Sequence, residues 1–463
     1  MAEAITTAEL AAEVACRNFS DARLNSRLQS LVERLAAEPH LSLPRVLDSA
    51  GLEAAYRFFS NHRVTPELIL APHIEATRRR CAAAGTFLVV HDSTTFLYRR
   101  DGEREGLGRA KRSGGKQAFL AHFSLAVAAD GTRRPLGVAG FKTWVRGPER
   151  SGIESLRWEE QLRLSSAQLN ATRTAIHVMD READDFRMFD ALINDGHRFV
   201  VRCQYDRRLD TELGIEKLYD VLNAASATVE REVPLSRRKP KKDPAADKVH
   251  PPRQARIAKL SISAVTVAFK RPPTKKTKED SASPNITVNV VRVWEPDPPE
   301  GETAVEWRLV TTEPISTPEQ QLAIVDYYRA RWMIEEYIKA IKSGCDFEKR
   351  QLQDYESLVN LLAVFAPIAY RILLIRSEAR RNPDAPAGDL ISRDHMDVLR
   401  ARGRLRLTAN PTTREVYLAI AALGGHLKHN GDPGWSTLSY GLQKLDTLTE
   451  GWIAAKLQLG SDQ

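Results

Sequence analysis

Three acidic residues of this chain occupy positions from which they could bind metal ions. Asp92 and Asp180 directly follow short apolar runs, 86–90 and 175–179, that predict β-strands, and Glu335 lies in a predicted helix. Catalytic and ligand-binding groups collect at the carboxyl ends of strands in α/β sheets. Three carboxylates supply the hard oxygen ligands that a pair of Mg²⁺ ions needs. Two such ions can activate a hydroxyl nucleophile that attacks a phosphodiester.

Each of these residues also has an ordinary structural explanation. An acidic residue after a strand is a common turn former. Glu335 can pair with Lys339, four residues later, on a solvated helix face. Taken singly, the residues leave both interpretations open, and only a shared site would favour catalysis.

The helix predicted over 320–342 carries further groups on the side of Glu335. At ~100° per residue, one arc of about 80° holds a phenol, three cations and the carboxylate; these are Tyr328, Arg331, Glu335, Lys339 and Lys342. Cations beside a metal site can hold the phosphates that flank a scissile bond and offset charge in the transition state.

The charge of the chain favours a polyanionic partner. Its 463 residues carry a net charge of +8, and residues 231–278 hold fifteen Lys or Arg against three Asp or Glu. The basic character is therefore concentrated in one block, as in proteins that bind nucleic acid. A solvated loop is the alternative explanation for such a run.

Composition argues against secretion and membrane insertion. No stretch approaches the ~20 consecutive apolar residues of a membrane span. The four cysteines are far apart and form no CxxC pair, so neither a zinc site nor a disulfide framework is supported. We expect a cytoplasmic protein that uses no membrane and no small-molecule cofactor.

Hydrophobic periodicity divides the chain into three regions. Residues 1–70 look helical. Residues 71–375 alternate strands and helices in an order that suits an α/β fold with a mixed sheet, interrupted by a β-rich insertion over 205–310. Residues 376–463 hold amphipathic helical segments.

The N-terminal region could grip the DNA backbone. Arg23 and Arg27 lie among leucines at helical spacing, and Arg57 follows in a second helical segment, 53–61. Arginines on a small helical module suit phosphate contacts. Periodicity alone is equally typical of an ordinary helical bundle.

These motifs together resemble the IS-four (Tn-five type) family of bacterial transposases, whose catalytic core has the ribonuclease-H-like fold of retroviral integrases. The resemblance runs nearly end to end. It rests on Glu53-Ala-Ala-Tyr-Arg-Phe-Phe59, on His91-Asp92-Ser-Thr-Thr95 and on Asp180-Arg-Glu-Ala-Asp184. The spacing of Tyr328, Arg331, Glu335 and Lys342 matches the family's Tyr-(2)-Arg-(3)-Glu-(6)-Lys signature, which is highly specific.

The resemblance implies a role for each acidic residue. Asp92, Asp180 and Glu335 would be the catalytic triad and would bind two Mg²⁺ ions, for which Mn²⁺ could substitute.

It also implies the DNA contacts. Tyr328, Arg331 and Lys342 would contact transposon-end phosphates, with Lys339 a weaker candidate, and Arg202 would lie near the DNA end. Trp307 matches the tryptophan that captures a flipped base when the family forms a hairpin, a role that suits base–aromatic stacking. As a lone residue, Trp307 would more often belong to the core.

The implied activity is cut-and-paste transposition. A homodimer, joined through a helical dimerisation domain over 376–463, would bind double-stranded DNA at the two inverted-repeat ends. It would nick one strand, form and open a hairpin, and join the freed 3′-OH to target DNA. The protein would work in the bacterial cytoplasm, on the nucleoid when bound to DNA. The alternatives are a related endonuclease and a catalytically idle, domesticated DNA-binding regulator.

Overall fold

Apolar runs with strand periodicity build one mixed sheet through the middle of the chain. The computed structural model describes residues 7–14, 18–98, 102–110, 116–146, 154–212, 214–235, 237–238, 252–273, 282–427 and 429–461. Within them the strands are β1 (Phe87–Tyr98), β2 (Gly108–Arg109), β3 (Gln117–Ala128), β4 (Pro135–Trp144), β5 (Ala175–Met179), β6 (Arg198–Arg202), β7 (Arg208–Thr211), β8 (Gly214–Lys217), β9 (Val229–Leu235), β10 (Arg256–Lys270), β11 (Asn285–Trp294) and β12 (Glu306–Thr311).

Helices precede, cover and follow this sheet. They are α1 (Thr7–Val14), α2 (Ala22–Ala37), α3 (Leu43–Val46), α4 (Ser49–Phe59), α5 (Pro66–Ala84), α6 (Glu154–Leu169), α7 (Phe186–Asn194), α8 (Leu218–Ala224), α9 (Pro318–Ala330), α10 (Trp332–Lys339), α11 (Tyr355–Arg381), α12 (Arg393–Arg402), α13 (Thr413–Leu423) and α14 (Trp435–Ser461). Side-chain caps fix several starts, including Asp354 before α11 and a Thr317–Gln320 capping box before α9.

The centre of the sheet is parallel and its flanks are antiparallel. The strand order is β2-β3-β1-β5-β6-β12-β11-β10-β7-β8, with β4 paired to β3 and β9 to β10. Strand β1 runs parallel to β5, and β5 parallel to β6, whereas β3 pairs with β1 in the antiparallel sense. The predicted mixed α/β sheet is confirmed.

The predicted β-rich insertion over 205–310 is built into this sheet. Strand β12 pairs with β6 in the antiparallel sense, and β11, β10 and β7 continue outward from it. Backbone groups at the free edge of β6 are thereby satisfied. Part of the basic block 231–278, namely 236, 239–251 and 274–278, lies outside the described residues.

One strand is much longer than its sequence predicts. The apolar run predicts that β1 ends before Asp92, but it continues to Tyr98, so Asp92 is not at the carboxyl end of its strand. The reason is that β3 goes on pairing with it, from Asp92 opposite Phe123 to Tyr98 opposite Gln117. Asp180 does follow directly on the end of β5.

The helix predicted over 320–342 is interrupted twice. It breaks at Arg331, between α9 and α10, and a π-helical turn over Ala340–Gly344 follows α10. A π-turn adds a residue to the helical repeat, which changes the direction of the side chains after it. The single arc predicted from a regular helix therefore does not hold as far as Lys342.

The terminal helices share a core with the sheet. One continuous cluster of buried apolar side chains runs from Leu10 in α1 through β1 and α11 to Leu445 in α14. The domain boundaries predicted at residues 70 and 375 fall inside α5 and α11. Helix α11 is long and apolar enough to cross a membrane, but its most apolar stretch is wholly buried in the fold.

A buried ion pair fastens the C-terminal helices to α11. Arg371 of α11 contacts both carboxylate oxygens of Asp446 in α14 at 3.0 and 3.1 Å, and each side chain is 4% exposed. His395 of α12 contacts the same carboxylate at 2.8 Å. Although burial raises the pKa of Asp446, Arg371 and His395 together lower it to about 2.

We expect Asp446→Asn to destabilise the protein by about 3–5 kcal/mol, because it leaves the buried Arg371 charge beside a neutral amide. Urea unfolding followed by circular dichroism measures the loss. The control is Lys456→Ala, which removes the exposed pair with Asp394 at 2.9 Å and should cost under about 1 kcal/mol. A loss below 1 kcal/mol for Asp446→Asn would show that the pair does not fasten the helices.

Candidate active site

The three predicted carboxylates come from three separate elements and share one site. Asp92 projects from the middle of β1, Asp180 follows β5, and Glu335 lies on α10. Strands β1 and β5 are neighbours, and their last paired residues are Val90 and Val178, two positions before each aspartate. The two aspartates therefore leave the sheet side by side.

Arg331 joins two of the carboxylates. Its Nη1 lies 3.3 Å from Asp92 Oδ2, and its Nη2 lies 2.8 Å from Glu335 Oε1. The Arg331 side chain is 14% exposed, so these charge-assisted contacts lie largely out of water. The alternative explanation of Glu335, a pair with Lys339, is not what the structure has, because Glu335 pairs with Arg331 and Lys339 pairs with Glu336.

Burial raises the pKa of Asp92 to about 7; Arg331 opposes that rise, and the negative charges of Asp180 and Glu335 add to it. Its Oδ1 accepts a hydrogen bond from the Ser93 N–H at 2.8 Å, which also favours the ionised form. The three carboxylates thus act on one another electrostatically. Because of this mutual repulsion, a positive charge at the site would stabilise the ionised carboxylates.

The two lysines of the motif take different positions. Lys342, on the π-turn, donates to the Thr95 carbonyl at 2.6 Å and lies 3.5 Å from Glu348, alongside β1. Lys339 contacts Glu336 at 3.2 Å and the ring of Trp332, and within the described part of the chain it pairs with none of the three carboxylates. The structure therefore brings Lys342 to β1, whereas Lys339 lies beside Glu336, away from the three carboxylates.

Trp307 and Tyr328 form an aromatic pair beside the site. Their ring centroids are 5.6 Å apart in an edge-to-face arrangement, and the Arg331 guanidinium lies 5.9 Å from the Tyr328 ring centre. Trp307 is half-buried at the start of β12. Arg202 ends β6, in the next position after the Met179–Val201 pair, and so lies beside Asp180 at the same sheet edge.

The N-terminal arginines lie on the surface. Arg23 contacts Asp21 at 2.8 Å and Arg57 pairs with Glu53; their side chains are 90% and 77% exposed. Arg27 is half-buried on the same helix as Arg23. Exposed pairs of this kind are weak, so these cations can exchange their acidic neighbours for phosphates.

Two positioning contacts were not predicted. Asp184 accepts from the backbone N–H groups of Gln204 and Tyr205 at 2.6 and 3.0 Å and pairs with buried Arg207, which ties the turn after Asp180 to the loop after β6. Asp184 belongs to the Asp180-Arg-Glu-Ala-Asp184 motif, but its partners are twenty or more residues away in the sequence. Glu348 accepts a hydrogen bond from the Leu97 N–H at 2.9 Å. No local sequence pattern predicts this role for Glu348.

The donor set suits a divalent cation in chemistry and charge, since three carboxylates offer only hard oxygen ligands. Across the described residues, no three ligating side chains are grouped as they would be around an ion. Arg331 provides the positive charge at the site. A cation would therefore have to take the place of Arg331 on at least one carboxylate.

Two family models match the chain. A transposase DNA-binding model matches residues 7–64, and a transposase DDE domain model matches residues 88–366. Among solved structures, a piggyBac transposase synaptic complex with hairpin DNA is similar at 10% sequence identity and a TM-score of 0.35. The match covers 81% of this chain and 66% of that one, and so distant a likeness carries no argument.

We expect Arg331→Gln to bind Mn²⁺ about tenfold more tightly in the absence of DNA, because the ion no longer competes with a guanidinium for the same carboxylates. Releasing such charge-assisted contacts costs about 1.5 kcal/mol or more. Isothermal titration calorimetry measures the affinity. Arg329→Gln is the matched control, since Arg329 pairs with Asp326 at 3.1 Å. Equal or weaker binding by Arg331→Gln would contradict the competition.

Proposed function

This chain belongs to the family of DDE transposases, and we propose that it performs cut-and-paste transposition with Asp92, Asp180 and Glu335 as its catalytic carboxylates. The matched family models make it a DNA-binding transposase with a mixed α/β core of the ribonuclease-H-like kind. The observation that carries the proposal is the Arg331 bridge between Asp92 and Glu335. Arg331 lies 239 positions from Asp92 in the sequence, and its contacts bring both carboxylates into one partly buried anionic site.

Membership of the IS-four (Tn-five type) group is the finer part of this proposal. The spacing of the Tyr328, Arg331, Glu335 and Lys342 signature supports it. So do the contacts of its members, since Tyr328 lies beside Arg331, Arg331 pairs with Glu335, and Lys342 reaches β1.

Asp92, Asp180 and Glu335 would hold two Mg²⁺ ions, or Mn²⁺ in their place. Such ions would polarise the scissile phosphate and favour the ionised form of the attacking hydroxyl. The chain's own part is to fix three carboxylates in one partly buried site, where their charges attract cations more strongly than in bulk water.

The cations of the site would hold the DNA. Arg331 would exchange Asp92 or Glu335 for a phosphate next to the scissile bond, which frees a carboxylate oxygen as the substrate arrives. Lys342 and Arg202 flank the carboxylates on opposite sides and would hold the neighbouring phosphates. Lys339 lies farther from the carboxylates and remains a weaker candidate for a contact with transposon-end phosphates.

Trp307 would hold a flipped base during hairpin formation. Trp307 is half-buried, packs against the core and makes an edge-to-face contact with Tyr328, so a base would stack on the exposed part of its ring. Stacking of a base on an aromatic ring is worth about 1–3 kcal/mol.

The working unit would be a homodimer on two inverted-repeat ends of double-stranded DNA, in the bacterial cytoplasm. Arg23, Arg27 and Arg57 would contact end phosphates outside the active site. The outer part of α14 supports a dimer contact, because Ile453 and Leu457 are 40% and 70% exposed. The segment 419–425 packs instead on α14 of its own chain, where Gly424 and Gly441 allow close approach.

Two other functions share much of this site. A related endonuclease would cut the DNA without joining it to a target, and an idle regulator would bind without cutting. One assay, containing labelled end DNA and a target plasmid, separates all three by the presence of nicked and joined products.

We expect Asp92→Asn, Asp180→Asn and Glu335→Gln each to lower nicking by about a thousandfold or more, about 4 kcal/mol in activation free energy. The substrate is a plasmid that carries the coding region with its native flanking DNA, incubated with Mg²⁺. DNA binding, measured by gel shift, should be nearly unchanged, because the substitutions remove negative charge.

Glu336→Gln is the matched control. It removes a carboxylate next to Glu335 that faces Lys339, Arg376 and Arg380 instead, and nicking should stay within about threefold of wild type. Strand cleavage that survives in any one of the three catalytic variants would overturn the assignment.

We expect Trp307→Ala to nick normally but to convert nicked ends to hairpins about tenfold more slowly, within the range that stacking predicts. Denaturing gels of end-labelled DNA measure both steps. Trp294→Ala is the control, since Trp294 lies one strand away against Arg292. Hairpin formation at the wild-type rate in Trp307→Ala would remove this residue from the mechanism.

A further inference from the structure

A chain of buried polar side chains crosses the sheet behind the carboxylates. His91 of β1 and His177 of β5 form a ring-to-ring hydrogen bond of 2.9 Å between Nε2 and Nδ1. Ser124 of β3 lies 3.0 Å from the other nitrogen of His91, and Ser166 of α6 lies 2.8 Å from the other nitrogen of His177. Both histidines are 0% exposed.

As neutral groups, the two rings can satisfy every link of this chain. A neutral imidazole has one N–H and one bare nitrogen, so each ring donates at one end and accepts at the other. Burial lowers the pKa of His177 to about 3 and that of His91 well below its usual range, which keeps both neutral. Gln161 extends the chain by donating to Ser124 at 2.9 Å.

The histidine pair lies where the backbone stops holding the two catalytic strands together. The parallel ladder between β1 and β5 ends at Val90 and Val178. His91 is the next residue of β1, and His177 lies just before the last pair on β5. Beyond Val90 and Val178, the chain leads to Asp92 and to Asp180 with no backbone pairing between β1 and β5.

The pair faces away from the carboxylates. Successive side chains of a strand point to opposite faces; accordingly His91 contacts the α6 side through Ser124 and Gln161, whereas Asp92 contacts Arg331. The rings are therefore outside the reacting pocket. They form no metal site of their own, since the described residues include no three grouped ligands.

We propose that the His91–His177 hydrogen bond is a positioning contact that sets the separation of Asp92 and Asp180. It rests on the proposed function, in which these aspartates hold the cations. Apolar side chains could fill the same space without a directional bond, and buried polar groups are costly unless paired. A bond of fixed length between the two strands keeps the carboxylates at one spacing.

The test compares two substitutions of His177. Asn places an amide where the Nδ1 atom of His177 lies and so keeps the link to His91, whereas Leu removes it. We expect Mn²⁺ affinity by calorimetry to fall about tenfold or more in His177→Leu, as for partners that orient metal ligands. It should stay within about threefold of wild type in His177→Asn.

Nicking rates against Mg²⁺ concentration give a second measurement. The half-saturating concentration should rise about tenfold in His177→Leu, while the rate at saturating Mg²⁺ should change by less than about threefold. Leu192→Ala, which removes a buried side chain of α7, is the control for lost stability. It should leave both metal measurements at wild-type values.

The outcomes are distinct. If the wild-type chain binds Mn²⁺ and Asp92→Asn and Asp180→Asn do not, but His177→Leu keeps wild-type affinity, the positioning role is wrong and the proposed function stands. If His177→Leu and Leu192→Ala weaken binding equally, the histidines serve only stability, and the inference is overturned. If Asp92→Asn and Asp180→Asn bind Mn²⁺ as wild type does, the carboxylates are not the cation site, and both proposals fall.

Discussion

Negative charge concentrated in a partly buried pocket is the constraint around which this protein is organised. Burial raises the pKa of Asp92 to about 7, and the negative charges of Asp180 and Glu335 add to that rise. Arg331 relieves part of that repulsion by contacting Asp92 and Glu335 together. Either a guanidinium or a metal ion could offset the negative charge of such a site.

The sheet holds this pocket together from both sides. On the pocket side, α10 approaches β1 through Arg331, and the π-turn after it brings Lys342 to the carbonyl of Thr95. On the other side, the histidine pair joins β1 to β5 where their ladder ends. Asp92, in the middle of β1, and Asp180, directly after β5, thus have inter-strand or helix-to-strand contacts near them on both faces of the sheet.

The long insertion contributes to the same architecture. Because β12 pairs with β6, the inserted strands extend the catalytic sheet and place Trp307 against Tyr328. The terminal helices join one continuous core through α11. The N-terminal helices, the sheet and the C-terminal helices are thus connected by packing in one core.

Local patterns determined much of this protein. Periodicity predicted the mixed sheet, the strand β5 and the helical segments of 376–463, because each depends on its own apolar residues. The spacing of Tyr328, Arg331, Glu335 and Lys342 pointed to a group around Glu335, although it left a pairing of Glu335 with Lys339 open as an alternative. What failed depended on distant partners. Strand β1 is long because β3 pairs with it, and the helix after Arg331 changes its repeat where α10 meets the core.

Only the tertiary structure decided how the acidic residues meet. Sequence placed Asp92 and Asp180 after apolar runs and Glu335 on a helix. Arg331 contacts Asp92, 239 positions earlier in the chain, only when the sheet and α10 pack together. The contacts of Asp184 with Gln204, and of His91 with His177, likewise join segments whose own patterns carry no trace of the partner. The residue types determined what chemistry was available. Long-range packing decided which residues share it, because charge repulsion and directional hydrogen bonds act through space and not along the chain.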